Sequence, residues 1–246
     1  MLSLRMVAAT SSTSTRTSDQ GACRVSDPAA HEAPVAVLRR GQQRVAAAAI
    51  AAGHADYPAF RHVFPDPRCR ARVLPVFFEA TVRDAIPYGS VLAVTDGDRV
   101  EATAVWLPPG RFPWTSWRKL RAAPALARVM VAAPRAFRTF MRYGANVEAA
   151  HRDEPHWYLV VLSVRPECQR RGLGSALVWP ILERADRDGL PCRLETSDAA
   201  NVAFYQRFGF EVTDPAYAAI PGGPALTTMR RPAGGPPPMM PGRGGR

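Results

Sequence analysis

With 246 residues, 47% of them hydrophobic, the chain holds enough apolar material for one well-filled domain, and no apolar run approaches the roughly 18 residues that crossing a bilayer needs. Four cysteines without a C-x-x-C pair and five histidines without H-E-x-x-H exclude the usual zinc spacings, and together they predict a cytoplasmic protein with no metal and no disulfide framework. The formal charge of +11 rests on arginine, Lys119 being the only lysine; this suits a solvated surface or an anionic partner, while no helix-turn-helix or RNA-binding strand signature points to a specific nucleic acid.

Residues 1–34, with "ATSSTSTRTS" among them, hold too few large apolar side chains to offset the entropy of ordering and are expected to be disordered. The first residues are too short for a signal peptide core, and Arg5 interrupts them. The predicted domain covers 35–232. It begins with a short strand in "VAVLRR", then a helix in "QQRVAAAAIAAGHA" and a second in "RARVLPVFFEATVRDAI". "GSVLAVTDGDRVEATAVWLPP" reads as a hairpin, because "DGD" supplies turn chemistry between two β-branched runs. The stretch from Trp117 to His151 is helical and is expected to break at Pro124 and Pro134. A dense strand then runs over 156–164, followed by a glycine turn and a helix to about 188. "PCRLETS" is a strand, "NVAFYQRFG" a helix, and further strands are predicted near 211–214 and 225–230. The Pro/Gly-rich tail, 233–246, is expected to be unstructured.

The glycine turn carries the chemistry. Backbone N–H groups at a helix start lack intrahelical partners, and the helix dipole adds positive potential there. Gln169, Arg170, Arg171, Gly172, Leu173 and Gly174, with Ser175 behind them, therefore form a plausible pyrophosphate cradle. The third glycine of a dinucleotide fingerprint is replaced by Leu177, and the Gly-Lys-Ser/Thr of a P-loop is absent. A tight turn with no ligand is the alternative.

Q-x-x-G-x-G after a strand, with "NVAFYQRFGF" some way downstream, resembles the GCN5-related N-acetyltransferase (GNAT) superfamily. The likeness covers roughly 35–230, is strongest over 154–213 and is lost over 107–150. "GHADYPAFRH", "EPHWYL", "QRRGLGSALVWP", "LETS" and "FYQRFGF" resemble antibiotic-acetylating members of it. Pro180, inside a predicted helix, fits the same likeness. The resemblance implies an α/β fold whose mixed central sheet splays between its fourth and fifth strands. It implies acetyl-CoA as co-substrate, with backbone at Leu162, Ser163 and Val164 pairing with the pantetheine arm and one N–H facing the developing oxyanion. It implies transfer to a primary amine of a small molecule, such as an aminonucleoside or aminoacyl antibiotic. A peptide or protein amine is the alternative acceptor, and a non-catalytic CoA-binding or basic nucleic-acid-associated protein is a further alternative reading.

Within that likeness Tyr205 is the candidate acid or thiolate partner, unless it is a core aromatic between Phe204 and Phe208. Asn201 either bonds the pantetheine arm or caps a helix. Glu195 is the candidate base, unless it pairs with Arg193 or Arg207. His156 could relay a proton or be mere polar trim. Tyr57 is expected to border the acceptor pocket, with Trp106, Phe112, Trp114 and Trp117 as an aromatic wall or as plain core. Cys168 and Cys192 are expected to lie outside the acceptor slot, so transfer is direct.

Overall fold

Residues 34–151 and 154–235 are described by a computed structural model. The disorder expected for residues 1–33, and for the tail beyond 235, lies outside the described residues. Residues 233–235 are placed and tied down, because the Gly234 N–H donates to Asp186 and the Gly235 carbonyl accepts from Arg231.

The chain opens with β1 (Val35–Val37) and α1 (Gln43–Gly53). The buried face of α1 is small (Ala46, Ala47, Ala49, Ile50), which brings the helix close to the sheet. At its end a side chain on Gly53 would sit 2.3 Å from the Ser163 hydroxyl, so only glycine fits. The helix α2 (Pro58–Val63) has no counterpart in the sequence reading, since six residues are too few to show a 3.6-residue period. The next, α3 (Pro67–Ala85), starts at Asp66, whose carboxylate accepts from the N–H groups of Arg68 and Cys69 at 3.1 and 3.0 Å. The hairpin follows as β2 (Val91–Asp96) and β3 (Arg99–Leu107), turning at Gly97 with φ +56°.

The helical region divides once, not twice. The helix α4 (Ser116–Ala132) runs straight through Pro124. The break falls at Ala133 (φ −142°, ψ 60°), the residue that Pro134 bars from helical geometry, and α5 (Pro134–Ala149) starts there. Arg118, on the first turn of α4, joins it to α3 through a two-pronged ion pair with Asp84. Next come β4 (Trp157–Val164), a short 3-10 turn over Pro166–Cys168, and α6 (Leu173–Arg187), which accommodates Pro180. The chain ends with β5 (Cys192–Thr196), α7 (Ala199–Gln206), β6 (Glu211–Tyr217) and β7 (Leu226–Arg231).

These strands make one mixed sheet in the order β1-β2-β3-β4-β5-β7-β6. Neighbours are antiparallel except β4 and β5, which run parallel. That one parallel pair is brief: Trp157 is level with Cys192 and Tyr158 with Arg193, and then the strands part. On the other side of β4 the register against β3 slips between Val105 and Trp106, leaving Val160 as an extra residue. Helices α1 to α5 build one core against the first face of the sheet, and α6 and α7 build a second against the other. Across the second, Arg231 is fully buried and holds both oxygens of Asp186 at 2.5 and 2.8 Å. The architecture is the α/β fold expected, splayed where expected.

Candidate active site

Where β4 and β5 part, a cavity of about 320 Å³ opens, walled by Leu159 to Leu162 on one strand and Leu194 to Thr196 on the other. Its far wall comes from the helical layer: Phe60 of α2, Phe77 and Phe78 of α3, Phe140 and Tyr143 of α5, with Phe112 and Trp114 from the loop before α4. The segment 107–150, the least matched stretch of the sequence, therefore shapes much of the wall opposite the strands. Tyr57 lies at the cavity edge as expected, its hydroxyl donating to Thr196 Oγ1 at 3.1 Å and accepting from the Ser197 N–H at 2.7 Å. His54 also faces in, and burial drives it down to about 4, so it is a neutral imidazole bonded through Nδ1 to the Ile50 carbonyl.

Glu195 is the buried carboxylate of this cavity. Its side chain is 7% exposed and bonds neither Arg193 nor Arg207. Instead Oε1 lies 2.5 Å from His151 Nε2, and Oε2 accepts from the Tyr158 hydroxyl at 2.8 Å. Arg193 turns away to Glu154, which also takes Arg230; those guanidiniums, Arg230 foremost, hold the Glu154 carboxyl down to about 2. Burial, and next to it the Glu195 charge, push the Tyr158 phenol well above its ordinary range, so Tyr158 stays a donor.

Three expectations about side-chain placement need correction, and one alternative is settled. Trp106 is fully buried on the opposite face, beside Trp157 and Leu177. Strand alternation explains it: Ala102, Ala104 and Trp106 share a face of β3, while Val105 and Leu107 take the cavity side. Trp117 is 66% exposed on α4 and contributes no wall. His156 is buried behind the wall, where Nε2 meets His151 Nδ1 at 2.9 Å. Asn201 is no cap, because Asp198 accepts from Ala200 and begins α7; Asn201 reaches back to Thr196 Oγ1 at 3.3 Å and faces the cavity.

Tyr205 also borders the cavity, packed against Phe204 and Phe210. Burial raises its phenol above the ordinary tyrosine range, which makes it a poor proton donor but a lasting hydrogen-bond donor. Cys168 and Cys192 are buried elsewhere, the second with its thiol pushed up to about 12 by burial.

The glycine loop meets the cavity at Leu162. A side chain on Gly174 would lie 3.4 Å from Phe204 and 3.8 Å from Leu162, so helix and strand pack closely there. Arg170 (φ +62°) and Gly172 (φ +79°) both take left-handed geometry, and the ladder of α6 opens with the Ala176 N–H on the Gly172 carbonyl. The N–H groups of Leu173, Gly174 and Ser175 thus precede the first intrahelical bond, and no side chain caps them. Gln169 Nε2 fastens the loop to the Val164 carbonyl at 3.3 Å, and Arg171 lies 3.5 Å from Glu101. Ser163 directs its hydroxyl to the Ile50 carbonyl, leaving β4 only backbone to offer at that point. An uncapped helix start with left-handed residues before it fits a phosphate group.

Two residues of this site, His151 and Tyr158, escaped the sequence reading. Tyr158 was accessible, since it lies two positions after His156 and hence on the same strand face. His151 was not: it ends a helical segment, and only the fold brings it to Glu195.

Among the described residues no helix is long and apolar enough to cross a membrane. No group of three metal-ligating side chains occurs among them either. Residues 136–210 match the profile of the Acetyltransferase (GNAT) family. An uncharacterized N-acetyltransferase of Schizosaccharomyces pombe is 30% identical over 150 residues, covering 56% of this chain; the match spans 58% of that relative's length. A Corynebacterium glutamicum structure described as histone acetyltransferase HPA2 and related acetyltransferase superposes with a TM-score of 0.56, at 21% identity over 84% of this chain and 97% of that one. Arylalkylamine N-acetyltransferase 2 of Aedes aegypti gives 0.52, at 13% identity over 80% and 97%. The PaiA N-acetyltransferase of Thermoplasma acidophilum, solved with coenzyme A, gives 0.50, at 10% identity over 80% and 97%. The matched segment runs from α5 to the end of α7, through the splayed strands and the glycine loop, and the chain shares the fold of those solved acetyltransferases.

Proposed function

We propose that the protein is an acetyl-CoA-dependent N-acetyltransferase that acetylates a primary amine of a small molecule by direct attack. The observation that carries this reading is the aromatic cavity between β4 and β5, with one buried carboxylate, Glu195, on its wall. A concave space walled largely by aromatic rings suits an amine bearing an aryl group. The sequence stretches around the site, "GHADYPAFRH" to "FYQRFGF", are similar to puromycin N-acetyltransferase, whose acceptor is such an amine.

Acetyl-CoA, when bound, supplies the thioester. The N–H groups of Leu173, Gly174 and Ser175, with Arg170 and Arg171, would hold its phosphates, and the β4 edge at Leu162 to Val164 and Asn201 would hold its arm. Glu195 draws the amine in and takes its proton, so that the nitrogen lone pair is free to attack. Tyr205 offers a hydrogen bond to the departing sulfur; its raised phenol argues against full proton transfer. No cysteine among the described residues lines the cavity, which supports direct transfer.

The test is a panel of amines incubated with acetyl-CoA and read by mass spectrometry. Aryl-bearing small amines, puromycin among them, should gain one acetyl group. Acetylation confined to peptide amines would overturn the small-molecule assignment.

The phosphate cradle has its own test. Gly172→Asp sets a carboxylate beside the phosphates, and aspartate tolerates left-handed geometry better than most residues. It should raise the KM for acetyl-CoA at least ~10-fold, about 1.4 kcal/mol. Gly172→Asn carries the same backbone strain without the charge and should lose much less. Equal affinities for coenzyme A in both variants by calorimetry would refute the cradle.

A further inference from the structure

We propose that Glu195, His151 and His156 form a single one-proton store, in which His156 sets the orientation, His151 carries the charge, and the acetylation base is the store and not the glutamate alone. This rests on Glu195 being the base, but the protonation pattern itself is a property of the protein without substrates.

Counting protons leads to it. His156 Nδ1 lies 2.7 Å from the Glu154 backbone carbonyl, which can only accept, so that nitrogen carries hydrogen. His156 Nε2 is 2.9 Å from His151 Nδ1, and His151 Nε2 is 2.5 Å from Glu195 Oε1. Three hydrogen bonds need three protons, and two neutral imidazoles bring two. The third makes the trio neutral overall, as a carboxylate and an imidazolium. His156 is the poorer holder of that charge, since burial, His151 and Arg193 all push it down, the Glu154 carbonyl and the Glu195 charge only partly opposing them. The Tyr158 hydroxyl on the second oxygen favours the carboxylate. The proton therefore belongs on His151, next to Glu195.

The surroundings keep the trio apart from water. Phe112 meets the His151 ring edge-on at 5.0 Å and stacks on Tyr158 at 4.3 Å. The other titratable groups facing it are Tyr143 and Glu148 of α5, Tyr57, His54 of α1 and Tyr217 of β6, with Lys119 paired to Glu148 and the Arg193–Glu154–Arg230 group behind. When the store gives up its proton, a carboxylate is left facing an imidazole lone pair inside an apolar wall. An amine that yields a proton there restores all three hydrogen bonds and neutrality. The chain of bonds ends at a backbone carbonyl, which passes no proton on, so His156 positions and does not conduct.

The test is imidazole ¹⁵N NMR of the wild-type protein alone between pH 5.5 and 9, with kcat/KM measured over the same range. At pH 6 His151 should carry protons on both nitrogens and His156 on Nδ1 only. His151 should lose one as pH rises, and in Glu195→Gln that loss should move down by at least one pH unit. The acid limb of kcat/KM, which belongs to the coupled group, should follow the wild-type loss and move down by more than one unit in His151→Asn. His151 with one proton throughout, or His156 with two, would overturn the store from the wild-type spectra alone. A His151→Asn variant that is slower with an unmoved limb would reduce His151 to packing.

Discussion

Glu195→Gln should lower kcat about 10²- to 10⁴-fold near neutral pH, the range over which a positioned acid or base acts. The amide keeps the shape of the side chain and can still bond Tyr158 and His151, so the cavity should persist and the melting temperature change little. What it removes is the ability to take a proton from the amine. The deficit should therefore shrink as pH rises toward the range where the acceptor is already neutral. Tyr205→Phe should behave differently: packing against Phe204 and Phe210 survives, kcat falls by roughly 10- to 10³-fold with little change in KM, and the loss is the same at every pH. A pH–rate profile of wild type and both variants with one good amine decides the matter. A Glu195→Gln deficit that does not vary with pH would make this carboxylate a structural partner of His151.

Asp186→Ala should strongly destabilise the second core. It leaves Arg231, which is fully buried, without a counter-charge and with only the Phe208 and Gly235 carbonyls, at 2.8 and 3.2 Å. It also frees the Gly234 N–H, 3.0 Å from the same carboxylate. Breaking a buried ion pair leaves an uncompensated charge, and since Asp186 keeps part of its surface in water we expect about 3 kcal/mol, the low end of such losses. For a domain of this size that lowers Tm by about 6–12 °C. The pH dependence follows in sign. Hydrogen bonds from Arg231 hold the Asp186 carboxyl below its ordinary range in the folded protein. Its contribution is therefore fully present above the unfolded value of about 3.9 and fades as pH falls through the folded one. Thermal melts at pH 7 and in acid measure both. A drop under about 2 °C at neutral pH would show that Arg231 has found other acceptors.

The sheet was legible because its signals are local. β-branched runs, the "DGD" turn and the glycine loop each announce themselves over a few residues, and the order of elements follows. Pro124 misled because a proline's lost hydrogen bond weighs less than the packing of the helix around it, whereas Pro134 acted through Ala133, whose geometry it restricts. Trp106 misled because residue type was weighed above strand parity. Glu195 and Tyr205 were singled out through motif likeness, which marks positions without giving partners. Of the Glu195 partners, Tyr158 follows from strand parity, whereas His151 depends on where α5 ends relative to β5, a distance that no periodicity in the chain encodes.

The brevity of the β4–β5 pairing bears on thermal behaviour as well as on binding. Two register positions, at Trp157 and Tyr158, join the five-residue run of β5 to its parallel neighbour, and past them each strand turns an unlaced edge toward the cavity. A molecule lying in that cleft would act as a guest strand, continuing the ladder and bridging the two halves of the sheet. Binding to the folded form alone stabilises it by mass action, about 2.7 kcal/mol at a hundredfold excess over Kd. Substrate and structural cement then become the same object, so melting temperature should rise with coenzyme concentration. The proposed substrate cleft would then also be the seam that a bound ligand closes.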